Sequence, residues 1–249
     1  MPGVTDRVAL VTGASRGIGR VAAELLSTNG AKVMCVARGK PDDLELPFVS
    51  ADLGTAEGCD EAVEAAEDQL GPVDILVCNH GIGSAHEKAV WQQDDKLWAE
   101  TMRINLDGPY FLSKRVMQGM VERGYGRLVY TSSTAGLVAE PEACAYNASK
   151  HGLIGLMRSA ALDGGRYNIT SNAVLPGWVR TEMAEKSAEQ EAIDRGISKG
   201  DVWAEREALY PAGRVVTPEE VAETILFLSS EESGGVSGEA IRVALGTVV

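Results

Sequence analysis

The feature that most constrains the fold is an alternation of short apolar runs with longer amphipathic stretches along the chain. Residues 7–12, 32–37 and 74–78 are apolar without a polar face, which is typical of strands buried on both sides. Between such runs lie stretches with helical periodicity, as in residues 17–29. Strands that alternate with helices of this length pair in parallel through right-handed crossovers. The pattern therefore predicts an α/β fold.

The remaining patterns extend this fold over residues 1–249 as a single domain, because no linker or repeat divides them. Further strands are predicted at 47–50, 126–133, 169–175 and 240–243, and further helices at 55–70, 94–105, 108–123, 143–163 and 218–229. About seven parallel strands with helices on both faces form a doubly wound sheet of Rossmann type. The segment 181–211 is polar, helix-prone and weakly periodic, and we expect it to be a substrate lid.

Charge and composition exclude several classes of function. The net charge of −13 argues against nucleic acid or an anionic membrane as a partner. Residues 1–40 are nevertheless basic, which suggests that this part meets an anion. No apolar run approaches a membrane span or a signal peptide, so a cytoplasmic location is expected. The spacing of four cysteines and three histidines predicts no metal site.

A glycine-rich turn joins the first predicted strand to the first predicted helix. Gly13, Gly17 and Gly19 would let the backbone turn tightly and approach a pyrophosphate, beside the free N–H groups of the helix. The preceding strand and following helix are the context that this motif requires. The turn therefore predicts a dinucleotide site.

The end of the second strand indicates which dinucleotide is bound. An acidic residue there would bind a ribose 2′-hydroxyl and repel a 2′-phosphate. The chain has Ala37 and Arg38, with no acid before Asp42, and Arg16 lies in the glycine turn. Two guanidinium groups favour NADP(H), with NAD(H) as the alternative.

Tyr146 and Lys150 lie four residues apart in a predicted helix and so share one face. A free tyrosine has a pKa of about 10, and a nearby ammonium group lowers it by stabilising the phenolate. Ser133 and Asn79 follow the fifth and fourth strands, whose carboxyl ends meet at one sheet edge. Asn105 closes a helix that leads to the same edge. These side chains predict an acid/base site for a carbonyl or an alcohol.

With these pieces in order, the chain resembles the short-chain dehydrogenase/reductase family over essentially its whole length. The matching motifs are TGASRGIG (12–19), ADL (51–53), NHG (79–81), Asn105 in INLDG, SS (132–133), YNASK (146–150) and PGWVRT (176–181). The resemblance implies that Tyr146 is the general acid in reduction and the base in oxidation, tuned by Lys150. It also implies that Ser133 orients the carbonyl group and that Asn105 holds a water in a proton relay.

The resemblance also implies the residues of a cofactor site. Asp52 and Leu53 would flank the adenine, Asn79 and Gly81 would lie along the ribose, and residues 176–181 would wrap the nicotinamide. The full set is Gly13, Ser15, Arg16, Gly17, Ile18, Gly19, Ala37, Arg38, Asp52, Leu53, Asn79, Gly81, Tyr146, Lys150, Pro176, Gly177, Val179 and Thr181. A homotetramer or homodimer through the helices near Gly108 and Ala143 is implied as well.

Some positions depart from the family pattern. His80 stands where the family commonly has alanine, and we interpret it as a packing variant. The segment after the second strand is short, so the helix usual there is expected to be missing or reduced.

The predicted function is NADP(H)-dependent interconversion of a small carbonyl compound and a secondary alcohol. A 3-oxoacyl thioester reductase, acting on a carrier protein or coenzyme A, is the main alternative; it would need a basic patch from Arg103, Arg123, Arg127 and Arg166. A non-catalytic nucleotide-binding scaffold is a further alternative, against which the four catalytic residue types argue. Candidate pocket residues are Ile82, Gly83, Leu137, Ala139, Glu140, Cys144, Trp178, Met183 and Trp203. The two tryptophans could equally be core residues.

Overall fold

The fold is built on one seven-stranded sheet in which every strand is parallel to its neighbours. A computed structural model describes residues 3–247. The strands are β1 Val8–Thr12, β2 Lys32–Ala37, β3 Phe48–Ser50, β4 Ile75–Cys78, β5 Gly126–Thr131, β6 Ile169–Pro176 and β7 Ala240–Val243. Their order is β3-β2-β1-β4-β5-β6-β7, so the strand order reverses between β1 and β4. In doubly wound sheets such a reversal opens a crevice at the carboxyl ends of the strands.

Eight α-helices connect or flank the strands. They are α1 Gly17–Thr28, α2 Ala56–Leu70, α3 Asp95–Met102, α4 Gly108–Arg123, α5 Cys144–Gly164, α6 Glu182–Arg195, α7 Lys199–Ala208 and α8 Pro218–Ser229. A π-helical turn, Arg103–Asp107, joins α3 directly to α4, where the sequence predicted two separate helices. Residues 38–47 connect β2 to β3 without a helix, so the expected loss of that helix is confirmed.

The helices cover both faces of the sheet, as the apolar strands predicted. Successive side chains of a strand point to opposite faces. Leu10 and Leu76 pack with α2, α4 and α5, whereas Val11 and Val77 pack with α1 and α8. All four side chains are fully buried, and each contributes about 1.5–3 kcal/mol. The predicted doubly wound α/β fold is confirmed.

The segment 181–211 forms a pair of helices, α6 and α7, with a small core of its own. Ala184, Ala188, Val202, Trp203 and Tyr210 are the main members of this core. Trp203 is 4% exposed and does not line the cleft, so of its two predicted roles, pocket or core, the structure shows the core role: its ring packs between the two helices. The proposed lid movement of this pair stays a prediction.

The four cysteines are all free thiols. Cys35, Cys59 and Cys78 are buried in the two main cores, whereas Cys144 is half-buried at the start of α5. Burial raises the pKa of Cys35 and of Cys59 to about 12. Within residues 3–247, no helix combines the length and apolar character needed to cross a bilayer, and no cluster of His, Cys, Asp or Glu side chains could hold a metal ion.

Candidate active site

A cleft of about 1000 Å³ lies at the carboxyl ends of β1, β4, β5 and β6, beneath α6. This volume is at the upper end of those typical for small-molecule sites. Nearly every residue predicted to bind the cofactor or substrate carbonyl lines it, namely Gly13, Ser15, Arg16, Gly17, Ile18, Ala37, Arg38, Asp52, Leu53, Asn79, Gly81, Ser133, Tyr146, Lys150, Pro176, Gly177, Val179 and Thr181. Gly19 and Asn105 lie directly behind this wall.

The glycine turn is shaped to bring backbone N–H groups to a ligand. Gly13 has a φ of +64°, and a Cβ there would lie 2.9 Å from the Cα of His80. A Cβ on Gly19 would collide with the Gly13 carbonyl and the Asn79 amide. The helix α1 that follows has no side-chain cap among the described residues, so its first N–H groups are free. The turn therefore fits the pyrophosphate of a dinucleotide.

The two arginines predicted to bind a 2′-phosphate lie on the cleft in different settings. Arg38 is exposed just after β2. The guanidinium of Arg16 lies 3.1 Å from the carboxylate of Glu182 at the start of α6, a contact that the sequence analysis did not predict. Asp52 bonds the Gly54 amide and Arg103, and these bonds, with the charge of Arg38, lower its pKa. The part of the cleft beside the glycine turn and the end of β2 is therefore rich in guanidinium groups.

Tyr146 presents its hydroxyl to Ser133 across the cleft. The Ser133 side chain follows β5 and also accepts a hydrogen bond from the Ala135 amide, at 3.1 Å. Burial raises the pKa of Tyr146 to about 12, while the bond with Ser133 acts to lower it. This direction is opposite to the sequence-based expectation, because in the protein alone burial outweighs any effect of the neighbouring ammonium group.

Lys150 lies one helical turn after Tyr146, and its Nζ is 5.6 Å from the centre of the Tyr146 ring. The Nζ donates to the Thr131 carbonyl at 2.9 Å, which fixes the side chain at the end of β5. Lys150 is 5% exposed, and burial lowers its pKa to about 8. An ammonium group has three N–H donors, so Lys150 keeps donors for a ligand.

Asn105 is buried in the π-helical turn and ties two walls of the site together. Its amide oxygen accepts from the Ile82 N–H at 2.8 Å, and its amide nitrogen donates to the Ile82 carbonyl at 3.0 Å. The same nitrogen contacts Ser149 of α5 at 3.2 Å. The side chain therefore holds the backbone after β4 against α5; its implied role in a proton relay stays a prediction.

His80 fills space behind the glycine turn, as expected of a packing variant. Its Nδ1 lies 2.8 Å from the Thr12 hydroxyl. Burial, reinforced by the charge of Lys150, lowers its pKa to about 3. The imidazole is therefore neutral at physiological pH.

The segment after β6, which was predicted to wrap the nicotinamide, lines the cleft. The Val179 carbonyl accepts from the Thr181 N–H at 2.8 Å. The Thr181 hydroxyl oxygen caps α6 by accepting a hydrogen bond from the Ala184 N–H. Its O–H group remains available to donate a hydrogen bond to a ligand. Thr181 also faces Gly17 across the cleft. The segment thus links the glycine turn to α6.

Five of the nine predicted pocket residues line the cleft: Ile82, Gly83, Glu140, Trp178 and Met183. Leu137, Ala139 and Cys144, near the short turn 134–136 and the start of α5, do not line it in the described structure, and Trp203 is enclosed in the core between α6 and α7. Sequence reasoning missed the inner face of α6, whose Ser187, Gln190 and Ile193 face the cleft. Their three-residue spacing, four residues after Met183, was the available signal, but the polar composition of the helix obscured it.

The four arginines that could have formed a carrier-protein patch do not meet at the cleft. Arg127 is buried at the amino end of β5, where it bonds the Ser230 and Asn168 carbonyls. Arg123 bonds the Val73 carbonyl at that same end of the sheet. Arg103 pairs with Asp52 beside the cleft. The patch expected of a carrier-dependent enzyme is therefore not formed by these residues.

This parallel sheet, with a glycine-turn cleft and a Ser–Tyr–Lys group at its carboxyl edge, defines a nicotinamide-dependent oxidoreductase of the short-chain type. A family model described as enoyl-(acyl carrier protein) reductase, which belongs to that type, matches residues 13–247. The chain is therefore a member of the short-chain dehydrogenase/reductase family.

Known proteins match the chain along nearly its whole length. The D-beta-hydroxybutyrate dehydrogenase of Cupriavidus necator is 32% identical over 250 residues, covering 94% of this chain and 95% of the relative. The 3-oxoacyl-(acyl-carrier-protein) reductase MabA of Mycobacterium bovis is 33% identical over 242 residues, with coverages of 97% and 93%. The crystal structure of a single-residue variant of actinorhodin polyketide ketoreductase with NADPH superposes with a TM-score of 0.89 at 34% identity, covering 97% of each chain.

Proposed function

We propose that the protein is an NADP(H)-dependent carbonyl reductase that interconverts a ketone and a secondary alcohol. The observation that carries the proposal is that Ser133, Tyr146 and the buried Lys150 line one cleft together at the carboxyl edge of the sheet, with the Lys150 Nζ 5.6 Å from the centre of the Tyr146 ring. The names of the related dehydrogenase and ketoreductases support the same class of reaction.

The chain's own residues account for the proton chemistry. The hydroxyls of Ser133 and Tyr146 bind the substrate oxygen, which stabilises the negative charge that develops there. The hydride is supplied by the reduced nicotinamide when the cofactor is bound. Tyr146 then donates its proton to the alkoxide oxygen, and the ammonium group of Lys150 stabilises the resulting phenolate. In alcohol oxidation the same proton moves back to the phenolate.

Replacement of Tyr146 by phenylalanine tests this role. Tyr146→Phe should lower kcat by about 10²- to 10⁴-fold, the usual contribution of a general acid, and leave NADPH binding intact as measured by NADPH fluorescence. Tyr167→Phe is a matched control, because Tyr167 lies at the amino end of β6, far from the cleft. Retained turnover in Tyr146→Phe would refute the proposed function.

Coenzyme choice is the second part of the proposal. Arg38 and Arg16 are the groups that would bind a 2′-phosphate, and the related polyketide ketoreductase has a structure with NADPH. Arg38→Asp should lower the NADPH-over-NADH ratio of kcat/KM by about tenfold or more, because a carboxylate would repel the phosphate. Arg166→Asp, at the opposite end of the sheet, is the charge-matched control. An unchanged ratio in Arg38→Asp would exclude Arg38 from coenzyme selection.

The charges around the cleft favour a free ketone as substrate. Glu140 and Glu189 line the cleft, and the exposed cations Arg16 and Lys186, which also line it, are both paired with Glu182. An acidic carrier protein would be repelled here. The 3-oxoacyl thioester reductase remains the second candidate, because the MabA relative carries that name. NADPH depletion with ketones, diketones, 3-oxoacyl-coenzyme A and carrier-bound thioesters separates the two candidates.

Assembly and location complete the proposal. Tyr110 of α4 and Leu162 of α5 are 46% and 85% exposed, so each of the two helices offers a large apolar side chain that a partner subunit could cover. We expect a homotetramer or homodimer through these helices, which light scattering would measure. Four free thiols suit a reducing compartment such as the cytoplasm.

A further inference from the structure

The helix that carries Tyr146 is capped from a distant loop. Most other long helices begin with their own cap: Thr55 accepts an N–H of α2, and Thr217 accepts one of α8. Helix α5 is 21 residues long, begins after Ala143 and has no such local cap and no acidic residue in its first turn. Its first N–H groups therefore need a partner from elsewhere in the fold.

Glu87 provides that partner. One carboxylate oxygen accepts from the Ala145 N–H at 2.8 Å, and the other accepts from the Tyr146 N–H at 2.9 Å. These are the second and third residues of the helix, the positions that a local cap would serve. The second bond is made to the backbone of the proposed catalytic residue itself.

Glu87 is held in this position although burial disfavours its charge. It is 8% exposed, and burial raises its pKa, while the two helix amides lower it. Among residues 3–247, no basic side chain contributes to stabilising this charge. The positive end of the α5 dipole and the two N–H donors therefore take that role.

The loop that carries Glu87 also forms a wall of the cleft. Residues 82–86, which precede it, line the cleft beside Tyr146. Glu87 is placed by a tight turn in which its N–H donates to the Ser84 carbonyl at 3.0 Å. A single side chain thus connects the wall of the substrate pocket to the first turn of α5.

We propose that Glu87 is a positioning residue for Tyr146: its carboxylate fixes the first turn of α5 against the pocket wall and sets the electrostatic potential at the phenol. The inference rests on the proposed acid/base role of Tyr146. The Lys150 ammonium group lies one helical turn along α5 from this phenol, and the pKa of Tyr146 is lowered by Ser133 and raised by the charges of Glu140 and Glu87. The two carboxylates disfavour the phenolate, so removal of one makes the phenolate easier to form.

Glu87→Gln tests both parts of the inference. Its amide keeps the size of the side chain but offers one acceptor oxygen and no charge. We expect kcat to fall by about tenfold through misplacement of Tyr146, with NADPH affinity and coenzyme KM nearly unchanged. In alcohol oxidation, the rising limb of the kcat–pH profile should move to lower pH by about 0.5 unit.

Two further variants separate positioning from a loss of stability. Glu87→Asp keeps the charge on a shorter side chain. The rising limb of its kcat–pH profile should therefore stay at the wild-type pH, while its kcat should lie between those of the wild type and Glu87→Gln. Thr217→Ala removes a cap of the same kind from α8, remote from the cleft. It should lower Tm without changing kcat or the pH limb.

The outcomes distinguish this inference from the proposed function. If Tyr146→Phe is inactive while Glu87→Gln keeps the wild-type kcat and pH limb, Glu87 is a structural cap only and the positioning role is overturned. If Tyr146→Phe stays active, the proposed function itself fails. The positioning role is supported if Glu87→Gln has a lower kcat and a kcat–pH profile moved to lower pH, while Thr217→Ala keeps the wild-type kcat and kcat–pH profile.

Discussion

Two buried cations lie at opposite ends of β5, and their surroundings differ sharply. Arg127, at the amino end, is 2% exposed and donates to the Ser230, Gly126 and Asn168 carbonyls at 3.0, 2.9 and 3.1 Å. Its guanidinium also lies 4.5 Å from the centre of the Tyr125 ring. Lys150, beside the carboxyl end, is 5% exposed and has one hydrogen-bond partner among residues 3–247, the Thr131 carbonyl.

The comparison teaches that burial alone does not make a cation structural. A buried charge stabilises a fold when its donors are satisfied, and destabilises it when they are not. Arg127 meets that condition and stabilises one edge of the sheet. Lys150 does not meet it in the protein alone, and burial lowers its pKa to about 8. We therefore infer that stability resides at the amino edge and chemistry at the carboxyl edge.

The largest expected effect is on catalysis, from Lys150→Met. It should lower kcat by about 10²- to 10⁴-fold, because the phenolate of Tyr146 loses its stabilising charge. Tm should stay the same or rise, because methionine removes a poorly satisfied buried charge. Steady-state kinetics and thermal unfolding of the same preparation provide the two measurements. If Lys150→Met kept a near wild-type kcat, or had a strongly lowered Tm, the proposed difference between the two ends of β5 would be wrong.

The matched substitution at the other end, Arg127→Met, should do the opposite. Three carbonyl groups would lose a charged donor, which should lower the free energy of unfolding by about 3 kcal/mol and Tm by about 6–12 °C. The kcat of the folded enzyme at low temperature should change by less than about twofold. Denaturant unfolding and kinetics would measure these effects, and a selective loss of kcat would contradict the structural role of Arg127.

A smaller effect concerns the pH dependence of stability. The pKa of Lys150 is about 8 in the folded protein against an ordinary 10.5, so between these values the unfolded chain binds more protons than the folded one. The stability of the wild type relative to Lys150→Met should therefore be constant below pH 8 and rise above it, by about 2 kcal/mol at pH 9.5. Urea unfolding of both proteins across this range measures the difference between their free energies of unfolding. A difference that does not change with pH would show that burial does not lower the pKa of Lys150.

Local patterns made most of the fold and much of the cleft predictable from the sequence. The glycine turn is a contiguous motif, and Tyr146 and Lys150 are fixed relative to each other by helical periodicity. Ser133 and Asn79 each follow a strand whose direction the α/β pattern determines, so their meeting at one edge follows from topology.

The unpredicted features depend on contacts between distant segments. Glu87 is one acidic residue in a polar loop, and nothing local shows that it meets a helix 58 residues later. The pair of Arg16 with Glu182 and the burial of Trp203 depend on how α6 and α7 pack. The pKa of Tyr146 was expected to fall because the sequence reveals a neighbouring cation but not the extent of burial.

The distribution of thiols has a practical consequence. Cys35, Cys59 and Cys78 are enclosed in the cores, and their raised pKa values leave almost no thiolate to react. Cys144 is the first residue of α5 and retains access to solvent. A fluorophore attached by maleimide chemistry should therefore label the native enzyme at one position, two residues before Tyr146. No cysteine would have to be engineered for such a probe to follow the start of this helix as coenzyme and ketone bind.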